Sequence, residues 1–313
     1  MILCCGEALI DLLPRTTAAG EAAFAPHAGG AVFNTAIAVG RLGAPAGFFS
    51  GLSTDFLGAM LEARLAEAGV DTSRAVRSGR PTTLAFVRLS DGHATYAFYD
   101  ESTAGRTLAE ADLPPPGAAS ALFFGGISLV NEPAASAYES LQAREAPTRP
   151  TMLDPNFRPA FLDAQEALSP GTATRYMARV RRMMRRADIV KLADEEVAKV
   201  FEAPDQGAFA RLLLAEGAKL VCITEGARGA TAYSAAHEVH VPATPVGVVD
   251  TVGAGDTFNA GVLVALHRMG RLSKPGVAAL DAAAIREAVS LGARAAAVTV
   301  SRAGADPPWA HEL

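Results

Sequence analysis

The sequence predicts an α/β fold: a mainly parallel sheet with helices on both faces, plus a small β insertion. Three observations carry this expectation. Short apolar runs alternate with longer segments of helical periodicity through most of the 313 residues. That is the pattern of parallel strands buried on both faces and joined by helical crossovers. Between Thr83 and Tyr99 the pattern switches to period two around an Asp91-Gly92 turn, a hairpin signal. Near the C-terminal end the small residues Gly253-Ala254-Gly255 deliver an apolar run, Val246 to Val249, into a helical segment, Phe258 to Met269.

Half of the residues are apolar and 19% are charged, so a sizeable core is available to one large α/β domain or two ordinary ones. A net charge of −5 argues against nucleic acid or an anionic membrane as the main partner. Cys4, Cys5 and Cys222 all fall in apolar runs and read as buried thiols of a cytosolic (cytoplasmic) protein. The N-terminus lacks the basic-then-apolar pattern of a signal peptide, and no 18-residue apolar stretch suggests a membrane span.

Taken in order, Met1 to Cys5 reads as a buried strand that Gly6 to Leu13 continues outward. Gly29-Gly30 permits a tight turn into a small-residue helix that Gly43 ends. Phe48 to Ser53 is a strand and Asp55 to Ala68 its helix, with Leu57, Leu61, Leu65 and Ala68 at core spacing. The hairpin Thr83 to Leu89 and Thr95 to Tyr99 follows, with Asp100 to Leu108 as a return linker. Strand–helix alternation then resumes: Leu122 to Gly126, Pro133 to Arg144, and Thr151 to Arg158 with polar residues at its carboxyl end. Open α/β sheets bind ligands at such ends. Thr172 to Arg186 is a basic solvated helix, too poor in aromatics for a nucleic-acid stripe. Ile189 to Leu192 is a strand, and the acids Asp194, Glu195 and Glu196 suit the first turn of the next helix. Leu220 to Thr224 is a strand turning towards Ala230 to Tyr233. Asp281 to Val300 is a helix.

The turn Gly253 to Asp256 carries the chemistry. Small residues let an anion approach the backbone, and the first amides of a helix have no intrahelical partners. Asp256 beside them is placed to take a proton from a hydroxyl nucleophile during phosphoryl transfer, or simply to cap the helix. The helix dipole lowers the pKa expected for Asp256. A weak base still suffices for a loose transition state in which the proton leaves late.

The stretch Asp250 to Phe258, D-T-x-G-A-G-D-x-F, resembles the C-terminal signature of the ribokinase-like (PfkB) carbohydrate kinases. Gly29 to Gly43, G-G-x-x-x-N-x-A-x-x-x-x-R-L-G, resembles their N-terminal signature, and the two stand in the right order more than 200 residues apart. The resemblance implies a ribokinase-like fold over residues 1–313, with a β lid from about residues 12–28 and 82–107. In this family such a lid covers the sugar and often forms the dimer contact, so a homodimer through the lid is expected. The implied partners are a small-molecule sugar and ATP, with Mg²⁺.

By this resemblance Asp256 is the catalytic base, and the amides of Gly253, Ala254 and Gly255 form the anion hole. Asp11, which by its own pattern also reads as part of a solvated face, holds sugar hydroxyls together with Gly29, Gly30 and Asn34. Phe98 and Tyr99 face sugar or partner, or only pack the sheet. Arg158, in D-P-N-x-R, meets phosphate or substrate oxygens, or makes a local salt bridge. Thr224, Gly226 and Gly229 resemble a nucleotide-contact turn, T-x-G-x-x-G, which also reads as a plain hairpin. Lys191, Gly253 and Gly255 complete the nucleotide side. Glu196 matches the Glu of the family's N-x-x-E, linked indirectly to Mg²⁺, with Ala193 in the Asn place. Asp250 and Val252 stand where members often bind K⁺, facing Arg302 to Gly304, although Asp250 also reads as the cap of a turn. Ala293 stands where an adenine-pocket Asn is often found.

Fructose, converted to fructose 6-phosphate, is the first choice of substrate. G-E-A-L-I-D (Gly6 to Asp11), T-x-x-A-F-V (Thr82 to Val87) and Phe98-Tyr99 resemble bacterial fructokinases. A 2-keto-3-deoxygluconate kinase, which shares D-x-N-x-R, and a ribokinase are the alternatives. A keto acid requires a cation, and among the matched sugar positions only Arg158 offers one. A non-catalytic sugar-sensing relative is the reading from another class, and Asp256 beside G-A-G speaks against it.

Overall fold

The computed structural model describes residues 1–90, 93–117 and 119–313; the expected Asp91-Gly92 turn lies outside the described residues. The main sheet contains β1 (Ile2–Cys5), β4 (Ala46–Phe49), β9 (Ala121–Gly125), β10 (Thr151–Asp154), β11 (Ile189–Ala193), β12 (Leu220–Thr224), β13 (Ala230–Tyr233) and β14 (Glu238–Val241). A second sheet contains β2 (Leu9–Thr16), β3 (Ala22–Gly29), β7 (Leu84–Ser90) and β8 (His93–Tyr99), and β5 (Gly51–Ser53) pairs with β6 (Val76–Ser78). The helices are α1 (Ala31–Arg41), α2 (Phe56–Glu67), α3 (Ala134–Glu145), α4 (Pro159–Leu168), α5 (Thr172–Arg186), α6 (Asp194–Lys199), α7 (Gln206–Glu216), α8 (Ala254–Arg268), α9 (Lys274–Ala278) and α10 (Ala282–Val300).

The main sheet runs β14-β13-β12-β11-β10-β9-β1-β4. Its members are parallel from β4 to β12, and β13 and β14 complete one edge antiparallel. Side chains of a strand alternate between faces, and this explains why strands such as β1, β4 and β9 read as unbroken apolar runs. Ile2, Cys4 and Phe123 join one core with α1, α2, α8 and α10. Leu3, Cys5, Leu122 and Phe124 join another with α3, α4, α5, α6 and α7. All three cysteines are free and buried. Among the described residues no helix is long and apolar enough to cross a membrane.

Helix starts follow side-chain chemistry. Asp55, Asp205, Ser273 and Asp281 each accept a backbone N–H at the head of their helix. In α5 the expected solvated face is only partly so. Arg179 is buried and ion-paired with Glu132 and Glu139, and Arg182 and Arg186 also meet Glu139.

Several expectations fail. Phe48 to Ser53 is not one strand: β4 ends at Phe49 in the main sheet and β5 starts at Gly51 in a separate pairing with β6, and Thr151 to Arg158 is a strand only as far as Asp154. Gly6 to Leu13 does not extend the first strand. The chain breaks at Gly6, where a Cβ would stand 2.4 Å from the Val32 side chain, and β2 belongs to the second sheet. Val246 to Val249 is not a buried strand. Val248 and Val249 are 66% and 65% exposed. The segment is tied down by the amides of Val249 and Asp250 on the Val300 carbonyl, at 2.8 and 3.2 Å. Pro242 and Pro245 lack the N–H a ladder needs, so the chain leaves the sheet at β14.

Candidate active site

Parallel strands point their carboxyl ends the same way, so the segments after β1, β9 and β10 emerge at one edge together. There they meet the heads of α1 and α8 around a cavity of about 1030 Å³. The second sheet forms the opposite wall through Asp11, Leu13, His27, Val87 and Phe98.

Asp256 sits in the first turn of α8, not at its cap, and is only 6% exposed. Asn34 Nδ2 donates to its Oδ2 at 2.9 Å, and Asn156 Nδ2 lies 3.4 Å from its Oδ1. Burial pushes its pKa up from 3.8 to about 7; the Asn34 bond opposes this, nearby Asp154 adds to it, and Arg158 and Lys191 oppose it. The pKa reduction expected from the helix end is therefore overturned, because desolvation of a buried carboxylate outweighs a half-charge dipole.

The head of α8 is built to stay open. Gly253 takes the N-cap place with φ 79°, and no side chain caps the helix. A Cβ at Gly253 would lie 2.7 Å from Cβ of Ala305, so a larger residue fails on both conformation and space. Gly253 and Gly255 line the cavity, while Ala254 is not among the lining residues.

At the opposite end, Asp11 of β2 faces the cavity, and burial pushes its pKa up to about 6 with Arg158 opposing. Gly29 is not in the lining but makes room for Asp11: a Cβ there would stand 2.3 Å from Asp11 Oδ2. Gly30 caps α1 at φ 109° and lines the cavity. Asn34 lines it too, although its Nδ2 points to Asp256. Phe98 both lines the cavity and stacks edge-on against Phe161 of α4, with centroids 4.7 Å apart. Its neighbour Tyr99 is 62% exposed and packs on Phe86 instead. Arg158 is exposed in the lining, and its Nη1 reaches only the neighbouring Phe157 carbonyl among the partners described.

Of the other candidates, Thr224, Gly226, Gly229, Lys191 and Glu196 lie outside the cavity lining. Thr224, Gly226 and Gly229 form the β12–β13 hairpin, farther along the same sheet edge. Gly229 is required by the hairpin itself, since a Cβ would lie 2.1 Å from the Val241 carbonyl oxygen. Lys191 is buried beneath the floor, 3.0 Å from Asp154 Oδ2. Glu196 accepts the Phe157 and Ala193 amides, each at 2.7 Å, and burial raises its pKa, with Lys191 opposing. Asp250 accepts Val252 N at 3.0 Å and Gly304 N at 2.9 Å, so the two loops do face each other, and both Asp250 and Val252 line the cavity.

Sequence reasoning missed two residues here. Glu7 is buried between Gly30 and Gly126, and it accepts Ala31 N at 3.0 Å and Ser128 N at 3.3 Å. It thereby fixes the head of α1. Asn156 holds φ 48°, rare for a side-chain-bearing residue, and turns its amide towards Asp256. Its place in D-P-N-x-R was the available signal.

Comparison with known proteins agrees with this geometry. Residues 1–312 match the pfkB family carbohydrate kinase. A fructokinase of Rhizobium leguminosarum bv. trifolii is 51% identical over 287 residues, covering 91% of this chain and 86% of that one. The crystal structure of a Xylella fastidiosa fructokinase with bound ATP superposes with a TM-score of 0.86 at 31% identity, covering 97% and 93% of the two chains. A Vibrio cholerae fructokinase bound to fructose, ADP and calcium superposes at 0.81 with 25% identity, covering 97% and 94%. An uncapped helix head beside a buried carboxylate, two glycine-built walls and a match along nearly the whole chain lead to one assignment: this chain belongs to the pfkB family of carbohydrate kinases.

Proposed function

We propose that the chain is an ATP-dependent fructokinase that phosphorylates the hydroxymethyl group of D-fructose to fructose 6-phosphate. The observation that carries the reading is Asp256, a buried carboxylate with a pKa near 7, beside an uncapped helix head and inside a cavity whose far wall carries Asp11. Asp11 accepts sugar hydroxyls and Gly30 lets the sugar approach the backbone. Asn34 and Asn156 hold the Asp256 carboxylate towards the hydroxymethyl group. Asp256 takes the hydroxyl proton, its pKa well matched to work near neutral pH. The amides of Gly253 and Gly255 receive negative charge on the transferring phosphoryl.

Among the described residues no three His, Cys, Asp or Glu side chains converge into a metal cage. That fits Mg²⁺, which is usually carried by nucleotide phosphates with few protein ligands. When bound, it neutralises phosphate charge; Glu196 acts only indirectly, since both its oxygens accept backbone amides. The nucleotide extends from Gly255 towards Thr224 and Gly226 along the sheet edge. K⁺ at the Asp250–Val252 loop would order the anion hole.

The second sheet acts as a lid on the sugar. Its outer face carries an aromatic row, Phe24, Phe86 and Tyr99, with ring centroids 5.1 and 5.4 Å apart. Phe24 and Tyr99 are 50% and 62% exposed, which supports a homodimer through this face. Buried, unpaired Cys4, Cys5 and Cys222 support a reducing, cytoplasmic setting.

One observation favours a second reading. Arg158 is an exposed cation in the cavity lining, suited to the carboxylate of 2-keto-3-deoxygluconate. ADP release measured with fructose, ribose, 2-keto-3-deoxygluconate, tagatose and adenosine decides between them. Fructose is expected to give the highest kcat/KM. A keto-acid advantage above about tenfold, ~1.4 kcal/mol in the transition state, overturns the fructose assignment.

A further inference from the structure

Directly beneath the open head of α8 lies a buried polar cluster that the scheme above does not use. Lys191 of β11 is 4% exposed and Asp154 of β10 is 1% exposed, with Nζ 3.0 Å from Oδ2. Asn259, fully buried one turn below Asp256 on α8, donates to the same Oδ2 at 2.7 Å. Its own Oδ1 has no partner among the described residues. Asp154 Oδ1 also accepts the Asn156 amide at 3.0 Å, so the cluster reaches the residue that holds Asp256.

Such a cluster is an expensive way to fill a core. Well-packed apolar residues of similar volume often serve at least as well as a buried ion pair. Its position supplies a reason. If Gly255 carried a Cβ, the nearest atom would be Lys191 Nζ at 2.9 Å, followed by its Cε at 3.8 Å. No atom of Asp154 is nearer that point than these. Of the pair, the ammonium is therefore the member that touches the turn, and glycine at position 255 is what allows it. Low dielectric strengthens the field of a charge held so close to an anion site.

We propose that Lys191 is a positioning residue for phosphoryl transfer: from beneath the Gly255 backbone its ammonium props the anion-hole turn and adds positive charge behind it, while Asp154 and Asn259 hold the ammonium in place. The inference rests on the kinase reading above. Lys191 is not in the cavity lining, so its removal is expected to act on the transition state and to leave the ground-state sugar complex intact.

The test compares the wild-type chain with Lys191→Met combined with Asp154→Asn, a neutral pair that leaves no orphaned buried charge. Wild-type turnover is measured first: no ADP release with any sugar rejects the kinase reading and not this inference alone. With an active wild type, the double variant is expected to keep its thermal midpoint and its fructose KM within about threefold, and to lose on the order of 10²-fold in kcat. Affinity for ADP with aluminium fluoride, probing an anion at the phosphoryl position, is expected to fall while affinity for ADP alone holds. Wild-type kcat in a folded double variant overturns the inference. If the double variant does not fold, Lys191→Arg is compared with Lys191→Met. The charge-keeping variant is expected to turn over at least ten times faster, and equal rates overturn the proposal.

Discussion

Replacing Asp256 by Asn separates catalysis from stability, because the two effects run in opposite directions. The carboxylate is buried, and its pKa stands at about 7 instead of 3.8. A carboxyl group with a raised folded pKa contributes stability that is fully present below pH 3.8 and is lost as pH rises through about 7. At ~1.4 kcal/mol per pH unit the loss amounts to about 4 kcal/mol. Asn does not ionise and escapes it. Asn34 and Asn156 present donors to both carboxylate oxygens, so one amide must rotate to face the new NH₂, which offsets part of the gain. The expected result at pH 8 is a more stable protein, by up to about 8 °C at ~2 °C per kcal/mol in a chain of this length. The gain should vanish towards pH 4. Loss of the base should lower kcat by about 10²–10⁴, or roughly 2.7–5.4 kcal/mol in barrier height, with fructose affinity by calorimetry nearly unchanged. Wild-type kcat should rise with pH up to about 7 and then level off. Scanning calorimetry from pH 4 to pH 8, with steady-state ADP release, provides both readouts. Near-normal kcat in the variant refutes the assignment of the base. A variant that is both inactive and less stable at pH 8 refutes the burial argument.

Asp11→Ala is expected to raise the fructose KM by about 10- to 100-fold, the worth of a charge-assisted hydrogen bond of ~1.5–3 kcal/mol, with ATP affinity unchanged; equal weakening of both ligands makes Asp11 structural. K⁺ titrated into buffer free of K⁺ and Na⁺ should raise kcat more than it changes sugar KM, because Asp250 ties the Val252 and Gly304 loops without reaching the sugar wall; a flat response rejects the cation site. Arg158→Ala should lower kcat and spare fructose affinity, whereas loss of most substrate affinity, measured by calorimetry, reassigns Arg158 to specificity.

The layered fold was legible because both of its faces are apolar. Strands such as β1 place alternate residues in different cores, as Ile2 and Cys4 do against Leu3 and Cys5, so both faces of the run are apolar; Lys191 within β11 is an exception. The same logic misleads at Val246 to Val249. An apolar run states that water is unwelcome, but not whether a neighbouring strand or a ligand is to exclude it. Val252, a few residues on, lines the cavity at 42% exposure. Two prolines just upstream were the local sign that no ladder forms there.

The site divides along similar lines. Glycines that shape a turn or clear space are visible because only glycine fits: Gly29 beside Asp11, Gly30 and Gly253 at positive φ. Polar residues that act on one another are not, since their partners come from distant segments. Asn34 and Asn156 are brought to Asp256 from 222 and 100 residues away. The pKa of Asp256 shows why this matters. Its place in a helix's first turn is local and lowers the expected value, whereas its burial is tertiary and raises it. The tertiary effect is the larger, and it brings the carboxylate proposed as the base into the range matched to neutral pH. The chemistry of the site therefore depends on how the second sheet, α1 and β10 close over the head of α8, as well as on the residues of the turn itself.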